Sequence, residues 1–425
     1  MMKYIFGVFL IISVTLNAQP IDTTQVKNIH KMESQIDSLR KTIRSMDNEL
    51  QLIKQNMVEG KSDVDELIAL LNDEDVESVS VDSRSRRKRV DALLKAITEQ
   101  PGQLRFNGGT TTILQSGSDD HQRHTTGAGS FDIYAHTAFG PNTLLFFDFE
   151  AIGGDGPDEF YPNFAGLNSD AGSTRDKDGV DRLTVLEAWA EFTMLNKIVT
   201  VTAGKIDMTN YFDNNASAND ETMQFISGAF VNSAAFAVPV NSPGVRLRST
   251  LYNRFHLQAG LASVNNPGSD LLEDIYKIAS LGFTLFPASD FESNFRFYTY
   301  RNPLADDATG WGISFDKVTF GVYNIFARYG QNDAEMAEYW GLKSAWSIGT
   351  RFVKQISGQT TALGLAFGEN NPHLKNLKNE QILEIYARRQ FNKWMHLSPH
   401  LQIVWNANGS SAQLIIFGIR THFNF

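Results

Sequence analysis

The chain has 425 residues, a formal charge of −10, 42% hydrophobic residues and no cysteine. Without thiols there is no disulfide framework and no thiolate metal centre. The acidic excess argues against nucleic acid as a partner, and because it sits mostly in loop-like stretches it does not by itself set a pore's selectivity.

Residues 1–18 read as a signal peptide: Lys3 is a short positive region, Tyr4 to Leu16 is apolar or small, and Asn17-Ala18 offers a cleavage point before Gln19. The run is too short to span a bilayer as a helix, and no later segment approaches the length a spanning helix needs. A membrane-spanning mature chain is therefore expected to be a closed β-barrel, the other structure that satisfies every backbone group in lipid.

Residues 19–60 form the second region. Ile29, Met32, Ile36, Leu39, Ile43, Met46, Leu50, Ile53 and Met57 alternate spacings of three and four, with charged and polar flanks; no Gly or Pro interrupts the seam, and Gly60 ends it. This is a heptad seam with a at 29, 36, 43, 50 and 57, and d at 32, 39, 46 and 53. It predicts a coiled coil, in the periplasm once the chain is exported. Such a seam needs partner strands, which implies a homo-oligomer; an amphipathic helix folded back on the barrel is the alternative. The seam's mixed a and d residues do not decide dimer against trimer, and a trimer is the working expectation.

Residues 61–103 read as a helical linker. Val64, Leu67, Ile68 and Leu71 continue the helical period, Asp73-Glu74-Asp75 turns acidic, and Arg84-Ser85-Arg86-Arg87-Lys88-Arg89 is basic. A short amphipathic helix at Val90–Thr98 and a Pro101-Gly102 stop follow. The basic run reads first as a solvated helix start; contact with anionic cell-wall polymer such as peptidoglycan, or with the inner rim of the barrel, is the alternative.

From Leu104 to Phe425 the period changes to two. Segments of roughly ten residues recur between Gly, Asn, Asp and Pro clusters, which suits about 16 antiparallel strands, with 14 or 18 open. Clear examples are Thr143–Glu150, Leu183–Phe192, Lys197–Lys205, Val245–Tyr252, Glu292–Tyr300, Thr319–Tyr329 and Ile382–Phe391. In the last segment Ile415, Phe417, Ile419, Phe423 and Phe425 share one face, and Arg420, His422 and Asn424 the other. Such a segment faces lipid on one side and a lumen on the other. Its end at Phe423 and Phe425 resembles the signal read by the outer-membrane barrel-assembly machinery. Tyr298, Tyr300, Tyr329, Trp346, Trp394 and Trp405 lie near segment ends, as interfacial girdles would.

The fold class is thus an all-β transmembrane barrel behind a periplasmic coiled coil. No nucleophile elbow, HExxH or P-loop is present, so neither an enzyme nor a cofactor is expected. His121 and His124 are the one close histidine pair, in a loop-like stretch, and no third metal ligand can be placed beside them. Charged residues on the polar faces should point into the lumen, since they are costly against lipid. Early in the chain these are Asp148, Glu150, Glu187 and Glu191; later ones are Arg246, Arg248, Arg296, Arg328 and Arg351. Opposite walls of a constriction, with a field across it, are one reading; plain lumen packing is the other. The stretch Asp207 to Pro243 is rich in amides, acids and Phe, and an inward fold would narrow the pore.

Leu186-Glu187-Ala188-Trp189, Val201-Thr202-Ala203-Gly204-Lys205-Ile206-Asp207, Phe212-Asp213-Asn214-Asn215-Ala216, Gln224-Phe225 and Ser242-Pro243-Gly244-Val245-Arg246 resemble the core of the carbohydrate-selective porins of the OprB type. The resemblance implies a 16-stranded barrel passing small sugars, with charged residues at Glu187, Lys205, Asp207 and Asp213 as matching positions. The coiled coil departs from the simplest members. An anion or phosphate channel, and a tether between outer membrane and cell wall, are the competing functions.

Overall fold

The computed structural model describes Gly102 and residues 104–425, apart from residues 141, 172–181, 196–197, 265–270, 288 and 321. The signal peptide at 1–18, the seam over 29–57, the basic run and nearly all of the 61–103 linker lie outside the described residues.

Sixteen strands follow one another: β1 (Arg105–Ser118), β2 (Arg123–Ala138), β3 (Thr143–Gly154), β4 (Thr184–Met194), β5 (Val199–Ile206), β6 (Ser242–Leu251), β7 (Phe255–Ser263) and β8 (Ile275–Leu285). The second half holds β9 (Ser293–Asn302), β10 (Ala308–Thr319), β11 (Tyr323–Asn332), β12 (Leu342–Ile356), β13 (Gln359–Pro372), β14 (Glu380–Asn392), β15 (Met395–Trp405) and β16 (Gln413–Asn424). Each strand pairs antiparallel with its chain neighbour, and β16 returns to β1 from Gly109↔Asn424 to Ser118↔Ile415. The closure leaves no sheet edge, so every strand's backbone groups are satisfied within the wall. Thr319–Tyr329 is not one strand: it spans the β10–β11 turn, where Phe320 takes a left-handed φ of 55°.

Alternation decides which side chain faces which way. On β3, Leu144, Phe146, Asp148, Glu150 and Ile152 are buried inside, while the residues between them are partly exposed outside. On β16, Ile415, Phe417 and Ile419 are exposed, and Ile416, Arg420 and His422 are buried. The outer face of β1 and β2 is smaller and more polar, with Thr110, Thr112, Thr125, Gly127 and Gly129 between Leu114 and Phe131.

Short turns gather at the end that also carries both chain ends of the barrel. This is the periplasmic end in bacterial barrels, and longer loops mark the other. Exposed Phe139, Tyr252, Phe286, Phe320, Trp394 and Phe425 ring the turn end as an aromatic girdle. Tyr329, Trp346 and Trp405 lie on the outer face. Tyr298 and Tyr300 do not: they share the inward face of β9 with Arg296 and are almost wholly buried, so the expectation that they belong to a girdle is corrected. The inward placement follows from the even-numbered parity of β9, which outweighs their nearness to a strand end.

Candidate functional site

Two loops occupy the lumen. The loop joining β5 to β6 (207–241) turns inward at Asp207, whose carboxylate accepts from the Thr209 amide at 2.9 Å, the Thr209 hydroxyl at 2.7 Å and the Asn210 amide group at 3.1 Å. A one-turn helix follows at Thr209–Phe212 and another at Gly228–Val231, capped by the Ser227 hydroxyl. Phe212, Phe225, Phe230 and Phe236 are all buried. The loop joining β3 to β4 docks against it: the Gly228 amide donates to the Gly166 carbonyl at 2.8 Å and the Ala229 amide to the Ala165 carbonyl at 2.7 Å.

Charged side chains of the wall hold both loops by their backbones. Arg328 on β11 pairs with Asp213 at 3.1 Å, neither side chain reaching solvent. It also donates to the carbonyls of Phe230, Asp213 and Ala218 at 2.6, 2.9 and 2.6 Å. Arg420 on β16 donates to the carbonyls of Glu221 and Gln224. Glu384 on β14 accepts the Ile226 and Ser227 amides at 2.8 and 2.9 Å. Glu380 takes the Phe164 amide at 2.9 Å and the Asn408 amide at 2.8 Å. Charge-assisted bonds to peptide groups are the strong kind, and they spare each charge the cost of burial without a partner. Close approach matters too: at Gly330 of β11 an added Cβ would stand 2.6 Å from the Ser233 hydroxyl oxygen.

The remaining predicted residues fall into two sets. Asp148, Glu150, Glu187 and Glu191 face inward on β3 and β4, joined by Asp132 from β2, and all are buried. Glu187 accepts from the Trp189 indole at 3.0 Å. Arg246, Arg248, Arg296, Arg328 and Arg351 face inward on β6, β9, β11 and β12. In a ring of sixteen, strands eight apart face each other, so Arg328 on β11 stands across from Asp148 and Glu150 on β3. Several arginines have carboxylates of their own: Arg246 lies 3.6 Å from Glu191, and Arg296 bonds Asp316. Arg246 also lies over the Tyr211 ring at 4.2 Å.

Lys205 stands apart. It shares the outward face of β5 with Ala203 and Val201, and its ammonium donates to the Val185 carbonyl at 2.6 Å. It does not line the lumen, because Thr202 and Ile206 hold the inward positions, and the expectation for Lys205 is corrected. Sequence reading passed over Glu380, Glu384 and Arg388, which lie four apart on the inward face of β14. Their spacing by even numbers was the available signal.

Two loop carboxyls sit in unusual surroundings. Asp170, which accepts from the Ser130 hydroxyl at 2.8 Å, is held well above the usual aspartate range by burial and by the nearby Glu221, Asp132 and Glu150. Asp213 is raised by burial, against the pull of Arg328. No group of three or more potential metal ligands occurs among the described residues.

The comparisons accord with this architecture. A protein of Aquifex aeolicus (strain VF5) is 27% identical over 330 residues, covering 76% of this chain and 95% of its own. The high-pH structure of Pseudomonas putida OprB superposes with a TM-score of 0.61 at 14% identity, over 76% of this chain and 94% of that one. The low-pH structure of the same protein gives 0.52 at 10% identity, over 76% and 92%. These likenesses speak for the fold. The model of the carbohydrate-selective porin, OprB family, matches residues 104–314 and 324–425, nearly the whole barrel, and the chain therefore belongs to that family of outer-membrane porins, which are channels and not enzymes.

Proposed function

We propose that this porin passes single small sugars and similar neutral solutes by diffusion through a lumen narrowed by its two inward loops. The observation that carries the reading is the anchoring of loop 207–241 across the barrel by Arg328, Arg420 and Glu384. A loop held from several strands leaves a narrow passage beside it, edged by amides, carboxylates and aromatic rings that suit hydroxyl-rich solutes. Asp148, Glu150, Glu187 and Glu191 on β3 and β4, with Arg351 on β12 across the ring, would set a field across that passage.

Neutral solutes are favoured over phosphate because Arg246, Arg296 and Arg328 each have a carboxylate close by. A phosphate path would need cations without such neighbours. Conductance in a planar bilayer tests this: near-equal cation and anion permeability, with current reduced by added glucose, supports the sugar reading. Strong anion selectivity without block by sugar contradicts it.

The assembly we propose is a trimer held by the 29–57 seam in the periplasm, with the small and threonine-rich outer face of β1 and β2 turned toward neighbouring copies. Cross-linking in mild detergent that stops at dimers would contradict it. Contact of the 84–89 basic run with peptidoglycan is a second periplasmic role, tested by pull-down of cell-wall sacculi with and without residues 19–100.

A further inference from the structure

The outer wall carries a feature that transport does not use. Lys277 on β8 and Arg301 on β9 are register partners, directly opposite one another. Both point outward: Lys277, Ala279 and Leu281 form the exposed face of β8, and Phe295, Phe297, Thr299 and Arg301 that of β9. Each lies within two residues of its strand's loop end. Like charges directly opposite across a strand pair destabilise the sheet, and charge facing lipid is costly except near the interface. Arg301 is partly compensated by Asp307, at 3.2 Å and through the Asp307 carbonyl at 2.8 Å. Among the described residues Lys277 has no carboxylate within ion-pair reach.

A cleft of about 690 Å³ opens beside the pair, between the loop from β7 to β8 and the loop from β9 to β10. Leu261, Leu272, Ile275 and Pro303 supply apolar walls; Glu273, Asp274, Asp306 and Asp307 supply acids. Leu272 is 85% exposed, an apolar side chain left to whatever enters the cleft. Toward the bilayer the outward faces below the cations carry Leu281 and Phe297, the cations stand level with Leu261, and the acids lie beyond them in the loops. This order matches one kind of molecule in layers: acyl chain, phosphate, then a rim able to accept sugar hydroxyls.

We propose that the cleft at Lys277 and Arg301 binds the phosphorylated headgroup of an outer-leaflet lipid. Phosphate takes the two cations, which removes the like-charge cost in the wall, and an acyl chain lies over Leu281 and Phe297, the outward apolar residues on the bilayer side of the cations. The site is independent of the sugar reading, since neither cation faces the lumen. The same chemistry would recognise a free phosphate, so the test separates the two.

Delipidated full-length protein in detergent is mixed with lipid A, a bis-phosphorylated acylated glucosamine disaccharide, and adducts are counted by native mass spectrometry. Lys277→Ala and Arg301→Ala should each lower retention by about fivefold. Lys354→Ala, on the outer face near the turn end, should leave it unchanged. Retained heat-modifiability of each variant shows that the barrel is folded. Inorganic phosphate in large excess should not displace the lipid. Equal retention by the double variant overturns the proposal, and so does displacement by inorganic phosphate, which would mark the site as one for a small anion.

Discussion

At the residue scale, the lumen shows what buried charge is for in this barrel. Arg328 neutralises Asp213 and gathers three loop carbonyls. Removing it leaves a buried carboxylate without its cation, a loss of about 3–5 kcal/mol by the usual cost of breaking such a pair. Arg328→Ala is therefore expected to lower the urea midpoint of the detergent-solubilised barrel and to raise single-channel conductance as the loop loosens. Arg328→Lys should recover part of the stability but not the full set of carbonyl bonds, since lysine lacks the planar fork.

Asp170 gives a pH dependence with a definite sign. Its carboxyl is raised in the docked loop and ordinary when the loop is free. The docked state thus binds the proton more tightly. Docking is strongest below the ordinary aspartate range and weakens as pH rises through the raised value. Asp170→Asn should flatten the dependence of the urea midpoint on pH across that window and stabilise the protein above it. A slope unchanged by the substitution would place the titration elsewhere.

At the scale of elements, strands are legible in the sequence where one face is strongly apolar. β3, β4, β9 and β14 alternate clearly. β1 and β2 are harder, because Thr and Gly occupy outward positions and blur the alternation. The inward fold of 207–241 is legible as a polar, Phe-bearing stretch. The joint role of the loop joining β3 to β4 is not, because much of its docking rests on backbone groups, the Phe164 amide on Glu380 and the Gly166 and Ala165 carbonyls under the Gly228 and Ala229 amides, which carry no sequence signature. Lys205 misleads for a related reason: a motif match says nothing about parity, and one position along β5 reverses the face. Glu384 is the element-scale test. Glu384→Gln keeps the shape but replaces charge-assisted acceptors for Ile226 and Ser227, at about 1–2 kcal/mol. Faster proteolytic nicking of loop 207–241 in the variant, with the barrel still heat-modifiable, is the expected readout.

At the scale of the whole molecule, closure of β1 on β16 leaves the sheet without an edge, and the aromatic girdle and apolar belt fit it to a bilayer. Length and period bring the strand number to about 16 with 14 or 18 open, and the closed ring has sixteen; in the proposed assembly the 29–57 seam and the outer face of β1 and β2 together hold the copies. Deleting residues 19–100 is expected to leave a folded, conducting barrel whose cross-linked trimer is weakened. Loss of conductance in that variant would tie the segment to the channel itself.

A loop anchored across the lumen should make a narrow path for small neutral solutes. Single-channel current across a planar bilayer, measured while glucose is titrated and repeated with phosphate, tests this most directly. Steady ohmic steps with weak ion selectivity, reduced by glucose and indifferent to phosphate, are predicted. Strong anion selectivity with block by phosphate and none by glucose would contradict it.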